Sequence, residues 1–210
     1  MPDESQKSRN KTRKPTFTEK ARRRQILEVA LELFKDNGYD GTSVAAIAKR
    51  AEVSRGVIFY YFDGKRQLGE EVIRHSVRKY SRYVLGRVEK KRTPRTKLIE
   101  FVDACLDYID DHPEDYRVYM DTIGCFGSTK EKNDIQSAIN QRTREILVGL
   151  IKEGQARGEL AKLPVNATAD IIQGVIDGLQ ALASVQPDTV SLPACKKLLR
   201  KMFTAALEPA

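Results

Sequence analysis

Along this chain apolar residues return at intervals of three and four, and no segment alternates convincingly between apolar and polar, so the pattern predicts an all-α fold. Order is expected to begin near Thr16, where Thr16-Phe17-Thr18-Glu19 has the spacing of a capping box: a hydroxyl meets one orphan backbone N–H and a glutamate meets another. In the helix that follows, Ile26, Val29, Ala30, Leu33 and Phe34 form a single stripe, and Asn37-Gly38 supplies a left-handed stop. Thr42-Ser43 can cap a second, short helix with Val44, Ile47, Ala48 and Ala51 inward. Glu52-Val53 then turns the chain, and Ser54 caps a third helix over 54–62.

The third helix departs from ordinary amphipathic logic. Ile58 and Phe62, four apart, can both face the first helix, which leaves Phe59 and Tyr60 pointing away from so small a core. Arg55 and Gly56 stand in its first turn, Asp63-Gly64 breaks it, and Lys65 lies just beyond. Cations at both ends, aromatics between them and a glycine that removes bulk describe a helix suited to a phosphate-lined groove. Aromatics that pack on a second domain would show the same spacing. Two short helices joined by a tight turn and braced by a longer one make a helix-turn-helix. Beyond it, Leu68, Val72, Ser76, Tyr80, Tyr83, Val84 and Val88 predict a long fourth helix from about Arg66, ended by Pro94. Further helices are expected near 97–111, 113–125, 131–157, 168–184 and 192–207, with Pro or Gly near most junctions.

Length and charge divide this helical string. A chain of 210 residues suits a small module joined to a larger one, here a disordered basic arm over 1–15, a helix-turn-helix domain over 16–66 and a helical domain over 67–210. Up to Arg66, 15 lysines and arginines against 9 acids leave +6, while the remainder carries only +2 of the total +8. The positive end therefore reads as a module facing a polyanion, with a merely solubilising tail as the alternative for the arm's Lys7, Arg9, Lys11, Arg13 and Lys14. The longest apolar run, Val57–Phe62, is far short of a membrane span, and the N-terminus lacks the apolar core of a secretory signal, so no membrane partner and a cytoplasmic location are expected. Cys105, Cys125 and Cys195 are widely spaced and form no C-x-x-C pair, and only His75 and His112 could join them, so neither a metal site nor another cofactor is expected. With no Gly-rich phosphate loop and neither histidine in a motif, no catalytic constellation emerges, and the chain is not expected to be an enzyme.

The stretch ILEVALELFKDNGYDGTSVAAIAKRAEVSRGVIFYYFDGKRQL, about 45 residues, resembles the N-terminal DNA-binding domain of the TetR family of one-component bacterial repressors. Its landmarks run in order: Leu33-Phe34, Gly38-Tyr39, Thr42-Ser43-Val44, Ile47-Ala48, Val53-Ser54, Gly56, Ile58, Tyr60-Tyr61-Phe62, and Lys65 before Leu68. The resemblance implies that Arg55, Gly56, Val57 and Tyr60 face bases or the groove floor of double-stranded DNA. It implies that Tyr61 and Lys65 hold the DNA backbone, and that Thr42 and Ser43 meet a phosphate. Phe59 departs from the pattern, since a phosphate-binding tyrosine hydroxyl is common there and Phe59 has none to donate. With Ala45 and Ala46 where longer polar residues are frequent, base reading rests mostly on Arg55, which can offer guanine two parallel hydrogen bonds.

The same resemblance implies a helical C-terminal domain that dimerises and encloses a small-molecule pocket, with a homodimeric repressor released from a palindromic operator by its effector. An architectural DNA-binding protein without an effector is the alternative. Aromatic and soft residues in the middle helices are the pocket candidates: Tyr80, Phe101, Cys105, Tyr108, Tyr116, Tyr119, Met120, Ile123 and Phe126. A core stripe would look the same. Asp121 and Glu145 could counter a cationic ligand. For the dimer, Ile171, Val175, Ile176, Gly178, Leu179 and Leu182 form an apolar face on which Gly174 and Gly178, one turn apart, permit close approach, and Leu198, Leu199, Met202 and Phe203 offer a second stripe. Packing within the chain uses part of both faces.

Overall fold

A computed structural model describes residues 16–126 and 129–209, apart from the side chains of three residues near the start of a helix at 129–132. The basic arm, with its five expected phosphate contacts, lies outside the described residues. The described residues fold entirely into helices and their connections: α1 (Phe17–Asn37), α2 (Val44–Arg50), α3 (Arg55–Tyr61), α4 (Lys65–Val88), α5 (Pro94–Asp111), α6 (Pro113–Gly124), α7 (Thr129–Ala156), α8 (Val165–Val185) and α9 (Leu192–Ala206). They form two compact units that meet in sequence between Val72 and Ile73, inside α4 and later than the boundary at 66 that the sequence suggested.

In the first unit the caps act as the sequence predicts. Thr16 and Glu19 close a reciprocal box at the start of α1, the Thr16 N–H donating to Glu19 Oε2 at 2.6 Å and the Glu19 N–H to Thr16 Oγ1 at 3.2 Å. Gly38 ends α1 at φ 73°, a conformation that costs an L side chain dearly. α1 packs on α2 and α2 on α3, and the buried set is Ile26, Ala30, Phe34, Ile47, Ala48, Ile58 and Phe62, joined by Leu68 and Val72 from α4. Between α2 and α3 the chain makes a Schellman turn: the Val53 N–H reaches Ala48 O at 3.0 Å and the Glu52 N–H reaches Lys49 O at 3.3 Å. Glu52 occupies the left-handed position of that turn at φ 54°.

The second unit is built on α5, whose buried face includes Leu98, Phe101, Val102, Cys105, Leu106 and Ile109, packed by α8, α7 and α9. α5 begins at Pro94, three residues before the expected start, because Thr93 caps it and a proline suits the first turn. An ion network fastens this helix. Arg87 donates from Nε to Glu100 at 2.6 Å and from Nη1 to Asp107 at 2.8 Å, Lys91 adds a second cation to Glu100, and Lys196 of α9 reaches Asp107. Burial opposes ionisation of Glu100 and Asp107, but the hydrogen bonds from these cations outweigh it and hold both carboxyls below their ordinary range.

Two glycines give opposite expectations. A Cβ at Gly41 would lie 2.3 Å from the carbonyl oxygen of Asn37, backbone that cannot step aside, whereas a Cβ at Gly86, in α4, would meet nothing within 4 Å. Gly41→Ala is expected to destabilise the protein by about 1–3 kcal/mol through overpacking. Gly86→Ala is expected to stabilise it by up to about 1 kcal/mol through helix propensity. Denaturant midpoints measure both, and equal midpoints for the two variants would refute the close approach at Gly41.

Candidate nucleic-acid interface and ligand cavity

α3 is set by its cap and by one pair of buried residues. Ser54 Oγ accepts the Val57 N–H at 3.3 Å, and Ile58 and Phe62 lie fully within the core of the first unit. That anchoring turns the opposite face outward. Phe59 and Tyr60 are 53 % and 58 % exposed, Arg55 and Gly56 are exposed, and Val57 and Tyr61 are half-buried beside them. A Cβ at Gly56 would meet nothing nearer than Ser54 Oγ at 3.6 Å, so the fold itself does not require glycine there, and the bulk it spares is on the outer face. The Tyr60 hydroxyl donates to Glu19 at 3.4 Å, and its ring stands edge-on to Tyr61 at 4.9 Å. Burial, with Tyr60 and Glu19 adding to it, raises the Tyr61 phenol above its ordinary value and keeps its proton available to donate.

Past the break at Gly64, Lys65 is held in place rather than waving free. Its ammonium lies 4.3 Å over the Tyr39 ring and donates to the Asp40 carbonyl at 3.3 Å. Ser43 is exposed and caps α2, accepting the Ala46 N–H at 3.1 Å. Thr42 differs from the expectation: it is 2 % exposed, and its hydroxyl donates toward Gly38 O at 2.8 Å and Leu33 O at 3.1 Å, stitching the loop to the end of α1. The hydroxyl proton is thus directed at the chain's own carbonyls.

The second unit contains a cavity of about 610 Å³, walled by α4, α5, α6, α7 and α8. Six of the nine expected residues line it: Tyr80, Phe101, Tyr108, Tyr116, Tyr119 and Met120. Three do not. Cys105 sits behind the wall, fully buried, its thiol pushed up to about 12 by that burial, and its carbonyl accepts Gln180 at 3.0 Å. Ile123 and Phe126 pack with Ile73 into a separate apolar cluster. All three are core residues that share the spacing of a pocket stripe. Asp121 and Glu145 also lie outside the lining.

Three of the four tyrosines that line this cavity have hydroxyls held by the protein. Tyr108 donates to Asp115 at 3.2 Å, Tyr119 to Gln136 at 3.0 Å, and Tyr80 accepts from Gln180 at 3.3 Å. Burial raises the Tyr119 phenol to about 12 and raises Tyr80 and Tyr108 as well, so all three stay protonated at neutral pH. The sequence reading missed the polar lining: Arg78 and Arg82 on α4, Gln136, Asn140 and Arg142 on α7, and Asp177 and Gln180 on α8. Polar residues on an amphipathic helix look like a solvated face, and only the packing of α7 against α8 reveals that they border a hollow.

On α8, Ile171 is 64 % exposed and Leu182 50 %. A Cβ at Gly174 or Gly178 would meet nothing within 4 Å, so that face is open, with Val175 and Leu179 half-buried at its edge. The stripe on α9 divides. Leu198 and Met202 are exposed, but Leu199 is buried in the core and Phe203 packs on it, so these two expected interface residues work within the chain.

Comparison with known proteins agrees with this architecture. Residues 26–72 match the model of bacterial regulatory proteins of the tetR family, and residues 94–208, more than half of the chain, match that of the BetI-type transcriptional repressor C-terminal domain. The chain belongs to the TetR family. Among TetR-type relatives, the HTH-type transcriptional regulator YttP of Bacillus subtilis is 32 % identical over 144 residues, covering 67 % of this chain and 68 % of that protein. BetI of Burkholderia cenocepacia is 26 % identical over 178 residues, covering 84 % and 89 %. A TetR regulator from Haloarcula marismortui superposes with a TM-score of 0.80 at 16 % identity over 90 % of this chain and all of that one. FadR of Bacillus subtilis, solved in complex with stearoyl-CoA, superposes at 0.69 with 23 % identity over 87 % and 97 %.

Membership of the TetR family makes this chain a DNA-binding transcriptional regulator with an N-terminal helix-turn-helix. Its relatives are named as regulators, and no helix among its described residues is long and apolar enough to cross a membrane. The Thr42 hydroxyl gives a separable test. Thr42→Val keeps the shape and removes the donor, and is expected to cost about 1–2 kcal/mol of stability through the lost hydrogen bond to the end of α1. DNA affinity, compared at equal folded fraction by anisotropy, should not change. A loss of affinity with a shallower salt dependence would instead make Thr42 a phosphate contact.

Proposed function

We propose that this TetR-family regulator binds a two-fold symmetric DNA operator as a cytoplasmic homodimeric repressor and leaves it when a small molecule fills the cavity. One observation carries this reading: α4 starts with Lys65 beside the exposed face of α3 and goes on, unbroken, to supply Ser76 to Leu85 to the cavity wall. A ligand bearing on those turns acts on the same helix whose first turn carries Lys65. It shifts the equilibrium only by the difference in its affinity for the two states, typically about 1–3 kcal/mol.

On the DNA side, Arg55 reads a base, Gly56, Val57 and Tyr60 meet the groove floor, and Tyr61, Lys65 and Ser43 hold phosphates, with Phe59 supplying apolar contact where a hydroxyl is absent. The open face of α8, with Leu198 and Met202 of α9, supplies the protomer contact, and a two-fold pairing sets the two α3 helices against successive major-groove faces.

Arg55→Ala is expected to relax base preference at one position of each half-site, losing roughly 1–3 kcal/mol of discrimination there, and to leave binding to random DNA nearly unchanged. Lys65→Ala should weaken every sequence alike and flatten the salt dependence by roughly 0.9 log units for each phosphate no longer neutralised. Affinities across an operator-variant panel decide it, and equal losses on all sequences for both variants would overturn the assignment.

The dimer face has its own test. Ile171→Glu with Leu182→Glu places charges on exposed apolar positions and should yield a folded monomer by sedimentation. Operator affinity should then fall at least about a hundredfold, since two linked half-site contacts become one. A double variant that remains a dimer would move the interface elsewhere.

A further inference from the structure

The cavity has an unusual distribution of charge for a hollow of its size. Its lining is largely hydrocarbon and aromatic, with Val84, Phe101, Ile146 and Ile176 on the wall, and three of its four tyrosine hydroxyls are held by protein partners. Its exposed edge is different. Arg78 and Arg82 lie one turn apart on α4, and Arg142 borders the cavity from α7. Among the described residues no carboxylate lies within ion-pair distance of any of these three. Elsewhere in the same unit, Arg87, Arg95, Arg144, Arg157 and Arg200 each reach a carboxylate of the chain.

The acids in the lining do not cancel this charge. Asp115 is taken by Lys79 and Tyr108. Asp177 is raised above its ordinary value by burial, against a hydrogen bond from Gln173, and no ion pair joins it to these arginines among the described residues. What is left is an apolar hollow of about 610 Å³, within the range of roughly 300–1,000 Å³ usual for ligand sites, rimmed by uncompensated guanidinium groups. Guanidinium forks match carboxylate and phosphate oxygens in pairs, and arginines four apart on a helix stand about 5–6 Å from one another, the span of a head group with several oxygens.

We propose that the effector is an amphiphilic anion, a long hydrocarbon chain housed in the cavity whose carboxylate or phosphate head is held by Arg78, Arg82 and Arg142. This rests on the reading of the cavity as the effector site and adds the chemical class to it. A fatty acid and its coenzyme A thioester share this chemistry, and the experiment separates them.

The full-length protein is titrated calorimetrically with palmitate, palmitoyl-CoA, coenzyme A alone and hexadecyltrimethylammonium, all below their micellar concentrations. Palmitate or palmitoyl-CoA should bind, more weakly as salt rises, and at least tenfold more tightly than coenzyme A or the ammonium. Arg78→Gln with Arg82→Gln, at exposed positions where folding is not at stake, should weaken that binding by roughly tenfold or more, the loss of charge-assisted hydrogen bonds. Ile146→Trp, which fills the cavity, should abolish it. Binding of palmitoyl-CoA but not palmitate assigns a phosphate-bearing head, and the reverse assigns a carboxylate. Anionic amphiphiles that fail to bind, or that bind the arginine variant undiminished, overturn the proposal. Tighter binding of the ammonium, still blocked by Ile146→Trp, overturns the ligand class and leaves the cavity as the effector site. Arginine-dependent binding that leaves operator affinity unchanged keeps the ligand class and refutes induction.

Discussion

A seven-residue helix does not hold itself together in water, because its nucleus is not repaid by so few hydrogen bonds. α3 therefore exists only as long as Ile58 and Phe62 stay buried, and every outward feature of the first unit follows from that burial. With those two side chains inward, the 100° step of the helix turns Phe59 and Tyr60 out and brings Arg55 and Gly56 to the exposed first turn. The Schellman turn before it, with Glu52 in the left-handed region, sets the angle at which α3 leaves α2. Thr42, with its hydroxyl bonded into the end of α1, braces the loop that presents Ser43. The exposed face of α3 is the back of a small core, and its precision is the precision of that core.

The second unit meets the opposite demand, to remain folded around empty space. A hollow forfeits the dispersion contacts that close packing would supply. Beside it Arg87 ties Glu100, Asp107 and the Tyr83 hydroxyl together, Lys196 brings α9 to Asp107, and Arg200 meets the buried Asp103. These pairs are partly buried and multiply hydrogen-bonded, the circumstance in which ion pairs fix geometry rather than merely decorate a surface. They hold the last turns of α4 against α5, while the turns from Ser76 to Leu85 face the cavity.

Much of this was legible in the sequence, and the limits are physical. Caps and apolar stripes are local signals, so the box at Thr16, the stop at Gly38 and nearly every helix could be read from spacing alone. Burial of a polar group is not local. Thr42 sits beside Ser43 in sequence with the same chemistry, yet one hydroxyl turns into the end of α1 and the other caps α2. The cavity shows the same limit from both sides. Cys105, Ile123 and Phe126 have the composition of a pocket wall and pack as core, and Arg78, Arg82 and Arg142 have the composition of a solvated surface and border the hollow. On α9, Leu198 and Leu199 are adjacent, and only the packing decides that one is exposed and the other is not.

The two demands converge on α4. A helix of 24 residues is about 36 Å long. Its first turn holds Lys65 by the Tyr39 ring and the Asp40 carbonyl, its middle turns line the cavity, and Arg87 near its end is clamped by carboxylates of α5. Leu68 and Val72 pack the core of the first unit, and the turns from Ser76 to Leu85 line the cavity of the second. One helix thus meets two packing demands in successive turns, and a substitution in α4 is felt as lost core in the one unit or as altered lining in the other, according to the turn on which it falls.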